Sequence, residues 1–107
     1  MNIYLCNEKT ERGSFYLTAV IKNDCLRISG QDLYSDCENN PFGTDEVEYF
    51  YDLDLSNTKK IIELITDTGL SIEEALLAKF SGMDGSKNLR EFCKANDVEY
   101  KFFSYNW

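Results

Sequence analysis

The chain has 107 residues and a net charge of -8, with 43% hydrophobic and 14% aromatic residues. Its length fits one domain with a single core, and its hydrophobic content is too high for a disordered chain. The sequence contains no histidine, which removes a frequent general base and the most common metal ligand. We therefore expect one folded acidic domain, residues 1–107, that does not use histidine chemistry.

Three β-strands are predicted near the start of the chain. They are Asn2 to Cys6, a short apolar run, and Ser14 to Lys22 and Cys25 to Ser29, which both alternate in hydrophobicity. The Asn23-Asp24 pair between the last two is typical of a tight turn. The second and third strands are therefore predicted to form a β-hairpin.

Residues Gly30 to Asp45 show no regular period and contain the only proline. A loop of this length is often functional or mobile, so we predict a loop here. The next stretch, EVEYFYDLD at residues 46–54, alternates with the period of a β-strand. One face is apolar and typical of a core position, with Val47, Tyr49, Tyr51 and Leu53. The other face holds four carboxylates around one aromatic ring: Glu46, Glu48, Phe50, Asp52 and Asp54.

The period then becomes helical. An apolar stripe at residues 61–65 predicts a first helix, with Ser56 or Asn57 as its N-cap and Gly69 as its end. A capping box that begins at Ser71 predicts a second helix, which ends before Gly82.

A third helix is predicted over Ser86 to Ala95, and a last strand over Val98 to Tyr105. The order ββββαααβ indicates an α+β fold. We expect a mostly antiparallel sheet of four to five strands with about three helices on one face.

The acidic residues are concentrated in one part of the chain. No Lys or Arg lies between Ile28 and Thr58, and this tract contains eight acidic residues, which equals the whole net charge. Four like charges along one strand face repel one another unless an opposite charge meets them. This favours a basic binding partner. The alternative is a solvated acidic surface that serves only solubility.

Catalytic motifs are not recognisable in the sequence. It lacks a P-loop, a G-x-G-x-x-G fingerprint and a G-x-S-x-G elbow. The four cysteines, Cys6, Cys25, Cys37 and Cys93, contain no C-x-x-C pair, and we expect free thiols in a cytoplasmic protein that needs no cofactor and no metal. One enzyme hypothesis stays open, in which carboxylates such as Asp52 and Asp54 act as acid and base or hold Mg²⁺.

Direct binding to nucleic acid is disfavoured because it requires clustered Lys or Arg. An acidic strand beside an acidic loop instead fits the basic cleft of a protein that grips phosphates. Aromatic residues near this surface, among them Tyr34, Phe42 and Tyr105, are candidate anchors. The predicted binding residues are Asp32, Asp36, Glu38, Asp45, Glu46, Glu48, Phe50, Asp52 and Asp54.

The chain resembles the small acidic immunity proteins of bacterial contact-dependent growth inhibition systems. The resemblance lies in its length, in the strand EVEYFYDLD that runs into the helix SNTKKIIELI, and in the terminal unit NLREFCKANDVEYKFFSYNW. It implies a non-catalytic inhibitor that binds a toxin domain, often an RNase or DNase, and occludes its active site. We expect a monomer or weak dimer without membrane contact. A generic acidic interaction module is the alternative.

Overall fold

Eight elements follow one another in the computed structural model, which describes residues 1–34 and 46–106. The strands are β1 (Asn2–Thr10), β2 (Gly13–Lys22), β3 (Cys25–Tyr34), β4 (Glu46–Asp52) and β5 (Lys101–Asn106). The helices are α1 (Leu55–Ile65), α2 (Ile72–Phe80) and α3 (Gly85–Ala95). The chain is thus a single α+β domain, and the predicted order ββββαααβ is confirmed.

The five strands form one sheet in the order β1-β2-β3-β4-β5, and every neighbouring pair is antiparallel. The three helices lie in the connection between β4 and β5 and pack on one face of this sheet. An antiparallel sheet is often packed on one face and open to water on the other. We call the face without helices the open face.

Two strands are longer than the sequence pattern predicts. β1 continues to Thr10 after a change of register between Tyr4 and Cys6, and β3 continues through residues 30–34. The predicted loop is therefore wrong for residues 30–34, because β2 and β4 pair with this polar segment on both sides. A side chain at Gly30 would overlap the Tyr49 ring, so the glycine makes room for β4. Residues 35–45 of the predicted loop lie outside the described residues.

The hairpin turn and the helix N-caps that were predicted from local sequence patterns can be compared with the structure. Asn23 and Asp24 both have positive φ, 54° and 60°, which confirms the predicted tight hairpin turn. The Ser71 side chain accepts a hydrogen bond from the Glu74 backbone N–H, and this confirms the N-cap of α2. The predicted N-cap of α1 is wrong: the cap is Asp54, one residue before the helix begins.

Two other helix and strand boundaries differ from those predicted. The first helix ends at Ile65 rather than at Gly69, and the last strand begins at Lys101 rather than at Val98. Val98 is buried, and its backbone N–H donates to the Cys93 carbonyl at 3.0 Å. This bond turns the chain at the end of α3 before it can enter the sheet.

The core lies between the helices and the sheet. Tyr51, from the predicted apolar face of β4, is 1% exposed. Its hydroxyl lies 2.7 Å from the Ser86 hydroxyl and accepts a hydrogen bond from Arg90 Nη1 at 2.8 Å. Because buried polar atoms need such partners, this contact fixes α3 to the sheet. The buried Thr58 hydroxyl likewise accepts from the Leu26 backbone N–H at 2.9 Å, which fixes α1.

The described cysteines are free thiols. Cys6 and Cys93 are buried and Cys25 is half-buried, while Cys37 lies outside the described residues. Burial raises the pKa of the Cys93 thiol to about 11. Since the thiolate is the reactive form, the raised pKa keeps Cys93 in its less reactive thiol form at neutral pH.

Candidate functional site

The open face of the sheet carries rows of side chains that cross four strands. Starting from the end of β4 that leads into α1, the rows on β2, β3, β4 and β5 are Val20-Arg27-Asp52-Lys101, Thr18-Ser29-Phe50-Phe103 and Tyr16-Gln31-Glu48-Tyr105. The acidic face predicted for β4 is therefore part of this open face. Its carboxylates occupy different environments at the two ends of the strand.

At the first end, the charge of Asp52 is matched by a basic residue on the neighbouring strand. Arg27 Nε and Nη2 donate to Asp52 Oδ1 and Oδ2 at 2.5 and 2.8 Å, which is a bidentate pair. This hydrogen bonding raises the pKa of Arg27 above its usual value. The same guanidinium lies 4.8 Å from the centre of the Phe50 ring, a distance typical of a cation–π contact.

The neighbouring carboxylate, Asp54, has a structural role. Its Oδ1 accepts hydrogen bonds from the backbone N–H and the side-chain amide of Asn57, at 2.9 and 3.0 Å. The backbone bond is the largest cause of the lowered pKa of Asp54, followed by the side-chain bond. The Asn57 amide oxygen in turn accepts from the Glu99 backbone N–H at 2.9 Å. We call Arg27, Asp52 and Asp54 the capped end.

At the other end of β4, the acidic side chains have neutral neighbours in the register. Glu46 accepts a hydrogen bond from the Gln31 amide at 2.5 Å, and a neutral donor leaves the charge of the carboxylate in place. Glu48 lies opposite Gln31 on β3 and Tyr105 on β5. Asp32 pairs with Val47 at the same end but lies on the face that carries the helices. We call Asp32, Glu46 and Glu48 the acidic end.

Aromatic rings adjoin the acidic end on the open face. The Phe50 and Tyr105 rings are 6.0 Å apart in an edge-to-face arrangement, and Phe103 lies opposite Phe50. Tyr105 is 49% and Phe103 40% exposed. Exposed aromatic side chains on a rigid strand are frequent anchors in protein interfaces. We call Phe50, Phe103 and Tyr105 the aromatic patch.

The predicted binding residues are thus distributed over several places. Glu46, Glu48, Phe50 and Asp52 share the open face, whereas Asp32 and Asp54 do not. Three further predicted residues, Asp36, Glu38 and Asp45, lie outside the described residues. Sequence reasoning missed Phe103, although the alternation of the last strand places it on the same face as Tyr105.

No group of His, Cys, Asp or Glu side chains within residues 1–34 and 46–106 is arranged to hold a metal ion. None of the helices in these residues has the length and apolar content needed to cross a bilayer. Comparisons of the chain with protein-family models, curated proteins and solved structures find no match. The resemblance to immunity proteins therefore stays a prediction that depends on residue layout.

Proposed function

We propose that this chain is a cytoplasmic immunity protein that neutralises a cognate toxin by binding a basic active-site cleft, as in an RNase or DNase. The observation that carries the proposal is the aromatic patch beside Glu46 and Glu48 on an open sheet face. Acidic groups attract a basic surface, and aromatic rings bury apolar area once the surfaces meet.

The architecture supports binding with little rearrangement. β4 is hydrogen-bonded on both sides, to β3 and to β5, so the side chains of its open face are held in a fixed register. A binding surface that is ordered before contact loses less conformational entropy on association. The edge-to-face contact of Phe50 with Tyr105 further limits the motion of both rings.

The enzyme hypothesis was suggested by Asp52 and Asp54, and the contacts of both carboxylates weaken it. Both oxygens of Asp52 accept hydrogen bonds from Arg27, and Asp54 caps α1. A carboxylate whose pKa is lowered by hydrogen bonds, as in Asp54, is a poor general acid. An acidic interaction module without a toxin partner remains the second candidate, because the same surface would serve it.

The test is neutralisation of a candidate toxin, the basic domain encoded by the reading frame next to that of this chain. Co-expression should restore growth, and the purified pair should form a complex. Toxin activity should fall to zero near one equivalent of the chain. After denaturing separation, the toxin should have unchanged mass and full activity.

Two results would distinguish the alternatives. If the chain binds basic proteins but protects from no neighbouring toxin, the interaction-module hypothesis replaces the proposal. If substoichiometric chain inactivates the toxin with time, or if the recovered toxin is modified, the chain acts by turnover and occlusion is wrong.

A further inference from the structure

A cavity opens at the acidic end on the face that carries the helices. Its volume is about 180 Å³, and Cys6, Phe15, Tyr16, Leu17, Asp32, Tyr49, Gly82, Met83 and Ser86 line it. Leu17 is buried beneath α3, whereas Phe15 and Asp32, one row further along the sheet, are half-buried. The cavity therefore lies where the helical layer ends and the sheet continues.

The chain holds both walls of this cavity in place. On one side, the Gly82 backbone N–H donates to the Leu5 carbonyl at 2.9 Å, which fixes the turn between α2 and α3 to β1. On the other side, Phe15 and Asp32 face each other across β2 and β3. The Phe15 ring also contacts Tyr34 edge-to-face, with ring centres 5.9 Å apart. The cavity is thus formed by hydrogen-bonded and packed elements.

Asp32 is the acidic residue in this wall. Within the described residues it forms no ion pair, and the Tyr34 hydroxyl donates a long hydrogen bond of 3.4 Å to its Oδ2. The Asp32 carboxylate is half-buried and has therefore lost part of its hydration, and this burial raises its pKa. A half-buried carboxylate that is poorly compensated attracts a positive group.

Among the described residues, the titratable groups that interact with Asp32 add no positive charge. Tyr34 on its own strand, Tyr49 on β4 and Cys6 on β1 all interact with it electrostatically. Burial is the largest cause of the raised pKa of each, and the negative charge of Asp32 contributes; the pKa of Tyr49 reaches about 12. These three groups are neutral at pH 7, so none of them compensates the charge of Asp32.

We propose that this cavity binds an organic cation, a primary ammonium or guanidinium group, with the Asp32 carboxylate as its counter-ion. Phe15 and Tyr49 line the same cavity, and their side chains lie on the face that carries the helices; aromatic rings attract cations through their π faces. A carboxylate among aromatic rings favours a cation over a neutral or anionic ligand. The cavity thus selects by charge.

The proposed function indicates where the cation comes from. This source rests on the proposed function, whereas the cation site itself does not. Glu46 lies at the same end of the sheet as Asp32, on the opposite face. A basic protein that contacts this end can insert a Lys or Arg side chain into the cavity while it meets Glu46 on the open face. The alternative source is a free amine in the cell.

Small-molecule probes test the cavity without any toxin. We expect n-butylammonium and n-butylguanidinium to cause saturable shifts of backbone amide resonances around the cavity in two-dimensional NMR. The resonances to follow are those of Phe15, Leu17, Asp32, Gly82 and Ser86. The neutral control n-butanol should leave these resonances unchanged. Asp32→Asn keeps the shape of the side chain and removes its charge, so the affinity should fall at least about tenfold. The matched control Glu63→Gln changes an exposed acid on α1 and should retain the parent affinity.

Three outcomes would overturn the proposal: shifts that rise without saturation, equal affinity in Asp32→Asn, or equally tight binding of n-butanol, which would indicate an apolar cavity only. Probe binding together with failed toxin neutralisation would leave the cation site in place and reject the proposed function. Toxin neutralisation without probe binding would support the proposed function and reject the cation site.

Discussion

The two ends of β4 use the same residue types for different purposes. At the capped end, Asp52 is bound by Arg27 and Asp54 caps α1, so these carboxylates support the fold. At the acidic end, Glu46 is bound by the neutral Gln31 amide, and Glu48 lies opposite neutral residues. Carboxylates less than ten residues apart in sequence thus differ in their neighbours on β3: Arg27 lies opposite Asp52, and the neutral Gln31 lies opposite Glu48.

This difference separates stability from binding along one strand. A carboxylate that is paired with a cation of the same chain attracts a basic partner less strongly, because the cation offsets its charge. Replacing such a carboxylate weakens the fold. A carboxylate among neutral groups keeps its electrostatic attraction for a basic partner, and its replacement changes the free energy of unfolding little. Variants at the two ends should therefore affect different measurements.

The largest effect is expected from charge reversal at the acidic end. Glu46→Lys with Glu48→Lys should slow association with the basic partner by about tenfold or more, because steering by complementary charge accelerates encounter on this scale. Stopped-flow association at two salt concentrations measures this, and the difference between variant and parent should shrink at high salt.

The matched control is Glu63→Lys with Glu91→Lys, which makes the same charge change at exposed positions on α1 and α3. If this control slows association as strongly, only net charge matters, and the acidic end has no special role.

At the capped end, Arg27→Ala should lower the free energy of unfolding by about 1 kcal/mol, since it removes an exposed ion pair and a cation–π contact. Association with the basic partner should not become slower, because the substitution makes the open face more negative. Urea denaturation and stopped-flow association on the same sample check both statements. Slower association together with lower stability would show that the two ends do not act separately.

A smaller effect is expected at the helix cap. Asp54→Ala should lower stability at neutral pH, whereas Asp54→Ser should retain most of it because serine also caps helices. Hydrogen bonds lower the folded pKa of Asp54 below its ordinary 3.8, so its contribution is present above about pH 4 and is lost as the pH falls through the folded value. Thermal unfolding at pH 7 and pH 3 measures this. An equal deficit of the Ala variant at both values would contradict the role of the ionised cap.

The smallest effect, of opposite sign, is expected for Asp32→Asn. Burial raises the pKa of Asp32 above 3.8, so its ionised form weakens the fold at neutral pH. The variant should therefore be slightly more stable than the parent at pH 7, and the gain should vanish as the pH falls through the raised pKa towards 3.8. A loss of stability at pH 7, measured by urea denaturation, would mean that Asp32 supports the fold and would place it with the capped end.

The sequence by itself determined the elements whose signals are local. The alternation of β4, the turn at Asn23 and Asp24, the Ser71 cap and the order ββββαααβ are all present in the structure, because each depends on residues within a few positions of one another. The buried position of Tyr51 likewise follows from the two-residue period of its strand.

Only the tertiary structure decided what each acidic residue does. Arg27 and Asp52 lie 25 positions apart in sequence, and residues 30–34 join the sheet through strands on both sides. The same pairing placed Asp32 and Glu46 on opposite faces. A strand pattern fixes which side chains share a face, but the register between strands fixes which charges meet, and that register comes from contacts distant in the chain.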